Sequence, residues 1–132
     1  MHSLKWDQTM ELGHEGMDAD HKHLLALVNQ LAKGIVDKLA KEAYDALLDE
    51  LIAHTRAHFA MEERLMAACS YPDAAEHCAE HARLVQDALG YRAKFDSDAE
   101  PSVSLLYFFD QWLTRHILAS DRELARFLAR KQ

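Results

Sequence analysis

The chain has 132 residues, enough for one domain with a buried core. Its 49% hydrophobic content, with only 4 glycines and 2 prolines, is typical of an all-helical protein. A formal charge of -7 argues against binding to nucleic acid, whose phosphates would be repelled. Since no apolar run approaches the roughly 18 residues of a membrane helix, and the start lacks the apolar core of a signal peptide, we expect a cytoplasmic location.

An N-terminal arm is predicted for residues 1–17, which have no clean helical period and include Gly13 and Gly16. The first helix is expected to begin near Asp18, with Asp18 or Asp20 as its N-cap. Its apolar residues recur at three- and four-residue steps: Leu24, Val28, Leu31 and Ile35.

Three further helices follow the first. The second is predicted to end near Tyr71, because the residue before a proline disfavours helical geometry, and Pro72 suits the first turn of the third. A polar turn that ends in Pro101 precedes the fourth helix. The pattern predicts an all-α, up-down-up-down four-helix bundle over residues 18–130, and residues 1–132 form a single domain.

Histidines are the unusual feature of the composition, with 9 in the chain. His58 and Glu62, and likewise His77 and His81, are four residues apart, so each pair lies on one helix face. Polar groups within an apolar stripe are costly to bury unless something pairs with them, and a metal ion is the obvious partner. The inward-facing candidates are His21, His58, Glu62, His77, His81 and His116, with Asp121 as a further possibility.

A lone inward histidine is more often a hydrogen-bonded core residue than a metal ligand. Five inward histidines, one or two per helix, instead predict a shared metal site. Together with the carboxylates they exceed the four ligands of one zinc, and imidazole suits iron, so two first-row metal ions fit better. A histidine-rich set, unlike the carboxylate-rich sites of ferritin-like bundles, favours binding and releasing a ligand over oxidation chemistry.

Asp121 does not follow simply from helix geometry, because it stands five residues after His116, about 140° round an ideal helix. The helix could widen there into a π-type turn, or Asp121 could reach in from a flank. A solvated surface aspartate beside Arg122 is an equal alternative. The residues alone leave the choice open.

Four motifs cover most of the chain: Met17-Asp18-Ala19-Asp20-His21-Lys22, His58-Phe59-x-x-Glu62-Glu63, His77-x-x-x-His81 and Trp112-Leu113-x-x-His116-Ile117-x-x-x-Asp121. With these motifs the chain resembles the hemerythrin family, specifically its single-domain bacteriohemerythrins. The resemblance implies reversible dioxygen binding at a non-haem di-iron centre, for oxygen storage, transport or sensing, and no enzymatic reaction.

The resemblance also implies roles for individual residues. One iron would be held by His77, His81 and His116, and the other, with an open position, by His21 and His58. The carboxylates of Glu62 and Asp121 would bridge the two ions, together with a solvent-derived oxide or hydroxide. Apolar neighbours would keep the dioxygen pocket dry, although plain core packing describes them equally well: Leu24, Phe59, Trp112 and Leu113.

Two residues depart from the family pattern. Asp20 replaces a glutamine, and it would either favour the helix N-terminus or accept a hydrogen bond from a metal-bound imidazole. His54 stands where bacterial relatives often have tyrosine, and we expect it to point inward near the site, with an exposed flank or metal ligation as alternatives. Glu63 is expected to be solvated.

Two other functions compete with dioxygen binding. A di-iron enzyme, such as a peroxidase, an oxidase or a nitric-oxide-handling protein, could use the same scaffold, with His54 as an added proton donor. Metal storage or a structural zinc bundle is the third possibility, which bridging carboxylates and surplus ligands disfavour. The acidic chain is expected to be a monomer.

Overall fold

Four long helical stretches form the bundle, in the order expected. The structure, a computed structural model, describes residue 6 and residues 8–38, 40–98 and 103–130, with the backbone alone at Thr9, 94–98 and 103–106. The described residues contain no strand, and the predicted all-α bundle is confirmed. The helices are α1 (Glu15–Val36), α2 (Lys41–Cys69), α3 (Ala74–Asp98), α4 (Val103–Arg115) and α5 (Arg122–Arg130), with a π-helical segment (His116–Asp121) joining α4 to α5 and a short 3-10 turn (Gln8–Met10) in the arm.

The buried apolar side chains form two clusters, one on each side of a polar layer. The larger cluster draws on α1, α2 and α4 and includes Leu31, Leu48 and Phe109. The smaller one includes Met66 and Leu124. Each large side chain buried in this way stabilises the fold by about 1.5–3 kcal/mol. Along each helical stretch, the buried histidines and carboxylates lie between the residues that enter the two clusters.

Helix α1 begins one turn earlier than the sequence predicts. It starts at Glu15, and the Nδ1 atom of His14 accepts a hydrogen bond from the Met17 amide at 3.1 Å. The prediction that Asp18 or Asp20 caps the helix is therefore wrong. A histidine can replace the usual capping residues because its unprotonated ring nitrogen accepts a hydrogen bond as a side-chain oxygen does.

Asp18 instead fastens the arm to the bundle. Its two carboxylate oxygens accept hydrogen bonds from the amides of Leu12, at 2.9 Å, and Gly13, at 3.1 Å. Gly13 has a φ of 82°, a left-handed conformation that favours glycine. These bonds hold the segment just before α1 in place, and Asp18 itself lies three residues before the first predicted metal ligand, His21.

The end of α2 determines where α3 can begin. Ser70 adopts a left-handed conformation with φ 54°, and the Tyr71 amide donates to the Met66 carbonyl at 3.0 Å. This arrangement satisfies carbonyls at the helix end and stops α2 before Pro72, as predicted. The Tyr71 ring then packs edge-on against Phe127, with centroids 5.2 Å apart.

The described helices include no candidate membrane span, and the two described cysteines form no disulfide with each other. None of the helices in the described ranges combines the length and apolar character that a membrane span requires. Cys69 and Cys78 are free thiols, each partly exposed, and no disulfide joins these two residues.

Candidate metal centre

The polar layer between the two apolar clusters brings together all the predicted metal ligands. Each is almost completely buried, with 0 to 4% of its surface exposed. Every helical stretch contributes: His21 from α1, His58 and Glu62 from α2, His77 and His81 from α3, and His116 and Asp121 from the π-helical segment.

The ligand atoms fall into two overlapping groups. The three-histidine group combines His77, His81 and His116 with both carboxylates, and the two-histidine group combines His21 and His58 with the same carboxylates. Within each group the candidate ligand atoms lie within 4.8 Å of one another. Each group is therefore compact enough to surround one ion, and the carboxylates belong to both.

Glu62 turns one oxygen towards each group. Its Oε1 atom lies 3.0 Å from the Nε2 atoms of both His77 and His81. Its Oε2 atom lies 2.7 Å from the Nε2 atom of His58. A carboxylate placed in this way can bind two metal ions, one through each oxygen.

Asp121 divides its oxygens in the same manner. Its Oδ1 atom lies 2.9 Å from the Nε2 atom of His116 and 3.2 Å from that of His77. Its Oδ2 atom lies 2.8 Å from the Nε2 atom of His21. Both carboxylates thus stand between the same two sets of imidazoles.

Several of these close contacts are not hydrogen bonds. Among the described residues, Glu62 Oε2, both oxygens of Asp121 and His116 Nε2 are buried and have no partner at an acceptable angle. Polar atoms left in this state are costly in a protein interior. A cation at the centre of each group would satisfy these atoms, and the donor set fits a first-row transition metal.

The π-helical segment accounts for Asp121. Residues His116–Asp121 form one wide turn, whose hydrogen bonds join residues five apart. The widening brings the His116 and Asp121 side chains to the same face, and Asp121 is fully buried. Of the alternatives left open by the sequence, the widened helix is confirmed and the solvated surface aspartate is wrong.

Three outer carboxylates orient the inner imidazoles. Each lies within hydrogen-bond distance of an Nδ1 atom: Asp20 of His58 (2.9 Å), Glu63 of His81 (2.9 Å) and Glu80 of His116 (2.5 Å). When Nδ1 carries the proton and donates it to a carboxylate, the Nε2 lone pair faces the centre of the site. The outer carboxylates thereby fix the ring orientation that metal binding requires.

The structure tests the sequence-based expectations for two of these carboxylates, Asp20 and Glu63. The structure supports the interpretation of Asp20 as an acceptor for an imidazole N–H. Glu63 is partly solvated, as expected, with its side chain 43% exposed, but it also pairs with His81, which the sequence does not predict. Residue spacing on α2 alone does not reveal this, since the pairing depends on how closely α3 approaches.

Glu80 is a site residue that the sequence does not single out. It accepts hydrogen bonds from both His116 and the hydroxyl of Ser120, which lies 3.1 and 2.9 Å from its two oxygens. The hydrogen bond from His116 lowers the pKa of the Glu80 carboxyl, so it stays ionised. Its position next to His81 in sequence is the only signal that could have pointed to it.

His54 does not reach the site, and the prediction that it points inward is wrong. The side chain is exposed, and its Nε2 atom lies 3.3 Å from the Nε2 atom of His23. The buried face of α2 is centred near Thr55, one residue and about 100° away on a helix. His54 therefore lies on the flank of the apolar stripe.

The four predicted pocket residues all belong to the larger apolar cluster: Leu24, Phe59, Trp112 and Leu113. The Phe59 ring stacks on His81 with centroids 3.8 Å apart, closer than its 6.1 Å to His58. Trp112 lies parallel to His116 at 6.2 Å. These apolar rings exclude water from one side of the polar layer, while their role around a bound gas remains a prediction.

The buried histidines and carboxylates shift one another's pKa values. Burial acts to lower the pKa of His58, but the close approach of the Asp121 and Glu62 carboxylates, which attract the charged imidazole, outweighs it and raises that pKa to about 10. The same balance raises the pKa of His77 to about 9. For Glu62, burial acts to raise the pKa and the imidazoles lower it well below its usual range. Without metal, His58 and His77 are therefore imidazolium ions at neutral pH and lie beside the ionised carboxylate of Glu62.

Known proteins share this arrangement of helices. A family model, the Hemerythrin HHE cation binding domain, matches residues 12–128. A bacteriohemerythrin from Stenotrophomonas maltophilia (strain R551-3) is 28% identical over 122 residues, 92% of this chain and 79% of its own. A hemerythrin-like protein from Naegleria gruberi is 33% identical over 118 residues, 89% of this chain and 87% of its own. The crystal structure of a wild-type hemerythrin superposes with a TM-score of 0.87 at 28% identity, covering 95% of this chain and 97% of its own.

Replacing Glu80 tests whether the outer carboxylates matter for metal binding. We expect Glu80→Ala to weaken metal affinity about 10–100-fold, because His116 loses the acceptor that orients its ring. Competition with a chelator measures the change. Glu76→Ala, which removes an exposed carboxylate from the same helix, is the matched control and should bind as the parent does. Equal affinities for the two variants would contradict this role of Glu80.

Metal binding should release protons. His58 and His77, with pKa values of about 10 and 9, are protonated at pH 7 in the metal-free protein, and a metal requires them neutral. Loss of two protons would raise the apparent affinity about 100-fold per pH unit near neutrality. Adding Fe²⁺ anaerobically in weak buffer with a pH indicator counts the protons. Release of none would show that the metal binds elsewhere.

Removing the metal also makes stability depend on pH. The raised pKa of His58 means that its pairing stabilises the metal-free fold fully below pH 6.5 and is lost as the pH rises through about 10. The metal-bound protein lacks this proton and should not show the same loss. Urea unfolding of the two forms at several pH values is therefore expected to show the largest difference above neutral pH. A metal-free form whose stability does not fall between pH 7 and about 10 would contradict the raised pKa.

Proposed function

Because the chain belongs to the hemerythrin family, we propose that it binds dioxygen reversibly at a non-haem di-iron centre, for oxygen storage, transport or sensing. The observation that carries the proposal is the placement of Glu62 and Asp121, each with one oxygen towards each histidine group. A site for one ion has no need of two carboxylates divided in this way. The proposal therefore involves a pair of ions that share both ligands.

Iron suits these donors. Imidazole and carboxylate together favour first-row metals such as iron, whereas structural zinc takes four ligands and often thiolates. When bound, two irons supply a redox-active pair on which dioxygen can bind reversibly. The residues that would hold them are His77, His81 and His116 on one side, His21 and His58 on the other, and Glu62 and Asp121 between them.

The two groups differ in the number of protein ligands. The three-histidine group offers five donor residues and the two-histidine group four. The two-histidine side is therefore the one we expect to accept an external ligand. On that side, the Asp20 carboxylate lies 2.9 Å from the Nδ1 atom of His58. This contact keeps the His58 imidazole in its orientation while a ligand enters and leaves.

Apolar side chains protect the bound state. Phe59 and Trp112 pack against the imidazoles of His81 and His116, and Leu24 is 1% exposed one turn from His21. A wall of this kind excludes water and slows proton transfer to the centre. Slow proton access favours release of dioxygen unchanged over irreversible oxidation of the metal.

The alternative function, a di-iron enzyme acting as a peroxidase, an oxidase or a nitric-oxide-handling protein, is not favoured. Its support in the sequence is His54 as an added proton donor. That side chain is exposed and paired with His23, away from the buried ligands.

We propose a dioxygen-binding protein that acts in the cytoplasm as a monomer, a setting that suits its free thiols and charge of -7.

Repeated oxygenation tests the proposed function. The iron-loaded protein is reduced, exposed to air and degassed over several cycles while its visible spectrum is recorded. We expect a coloured form that appears with air and disappears on degassing in each cycle. Asp121→Ala should show no such form, because one shared ligand is lost. A parent protein that fails to colour, or that bleaches irreversibly in the first cycle, would contradict reversible binding.

A further inference from the structure

A second group of candidate metal ligands lies on the surface. His23 of α1 and Glu50 and His54 of α2 are all exposed, and their candidate ligand atoms lie within 4.8 Å of one another. We name these three residues the surface cluster. None of them belongs to the buried centre, and the function proposed above does not use them.

The two imidazoles have the spacing of metal ligands. Their Nε2 atoms are 3.3 Å apart, with the rings edge-on at 63° and centroids 4.3 Å apart. Two nitrogens bound to one tetrahedral zinc at the usual bond length lie about 3.3–3.4 Å apart. The distance between the two Nε2 atoms in the protein already matches that of a bound pair.

The backbone holds the three residues in place. Glu50 and His54 are four residues apart on α2 and project from one flank, and His23 faces them from the packed helix α1. His23 follows His21 by two residues, about 200° round the helix, so one histidine points outward while the other points to the buried centre. The surface cluster is thus built on rigid elements and opens to solvent.

A hydrogen bond between two exposed imidazoles would account for the histidine pair alone. The Glu50 carboxylate, which the four-residue spacing on α2 places beside His54, adds a third candidate ligand atom within the same 4.8 Å. Two imidazoles and one carboxylate are a ligand set that zinc accepts with water in the fourth position. The net charge of -7 also favours the approach of a cation.

We propose that His23, Glu50 and His54 bind one divalent transition-metal ion with the ligand preference of Zn²⁺, separately from the buried centre. The ion joins α1 to α2 at the surface. Because it binds the folded chain only, it raises the melting temperature as its concentration exceeds its dissociation constant. Water completes its coordination.

Zinc binding to the iron-loaded protein tests the proposal. The holoprotein is dialysed against ZnCl2 in a buffer that binds zinc weakly, and zinc and iron are counted per chain. We expect one zinc in addition to the iron, and a higher melting temperature. His23→Asn and His54→Asn should each weaken zinc binding by more than about 100-fold, since losing a ligand costs more than losing a ligand's hydrogen-bond partner.

Controls separate this site from the buried one. Glu42→Gln changes an exposed glutamate elsewhere on α2 and should bind zinc as the parent does, whereas Glu50→Gln should bind it more weakly. Iron content, measured in every sample, should not change. Absence of bound zinc, equal zinc binding by His54→Asn, or zinc uptake matched by iron loss would each overturn the proposal.

Discussion

The packing of the four helical stretches depends on two carboxylates buried in the interior of the bundle. Glu62 and Asp121 are completely buried, and each contacts imidazoles from both histidine groups. Isolated charges in this position would be prohibitively unfavourable. They are tolerated because imidazoles from all sides surround them. Since each helical stretch contributes to this layer between the two apolar clusters, the site also fixes how the helices meet.

The surrounding residues turn a polar layer into a defined site. The π-helical segment places His116 and Asp121 on one face. Asp20, Glu63 and Glu80 then hold three of the rings from behind, so that the Nε2 atoms point inward. Both features remove freedom from the ligands before a metal arrives, which reduces the ordering that binding requires. The two sides of the site also differ in their number of histidines, three against two.

Helix periodicity makes much of this predictable. The pairs His58–Glu62 and His77–His81 follow directly from four-residue spacing, since the face of a helix is a local property. Asp121 does not follow from spacing, because a π-helical turn cannot be told from an α-helix by sequence alone. The sequence does not predict the role of Glu80, and it predicts the wrong orientation for His54, both for one reason. The partner of a flanking side chain depends on how two helices approach, and local periodicity does not contain that information.

Iron stoichiometry tests the central claim, that two ions share Glu62 and Asp121, most directly. The metal-free His54→Asn variant is titrated anaerobically with Fe²⁺, so that the surface cluster does not contribute, and bound iron is counted per chain after gel filtration. The shared carboxylates predict an end point of two irons per chain. An end point of one, or a purified protein that holds a single zinc in place of iron, would contradict the account.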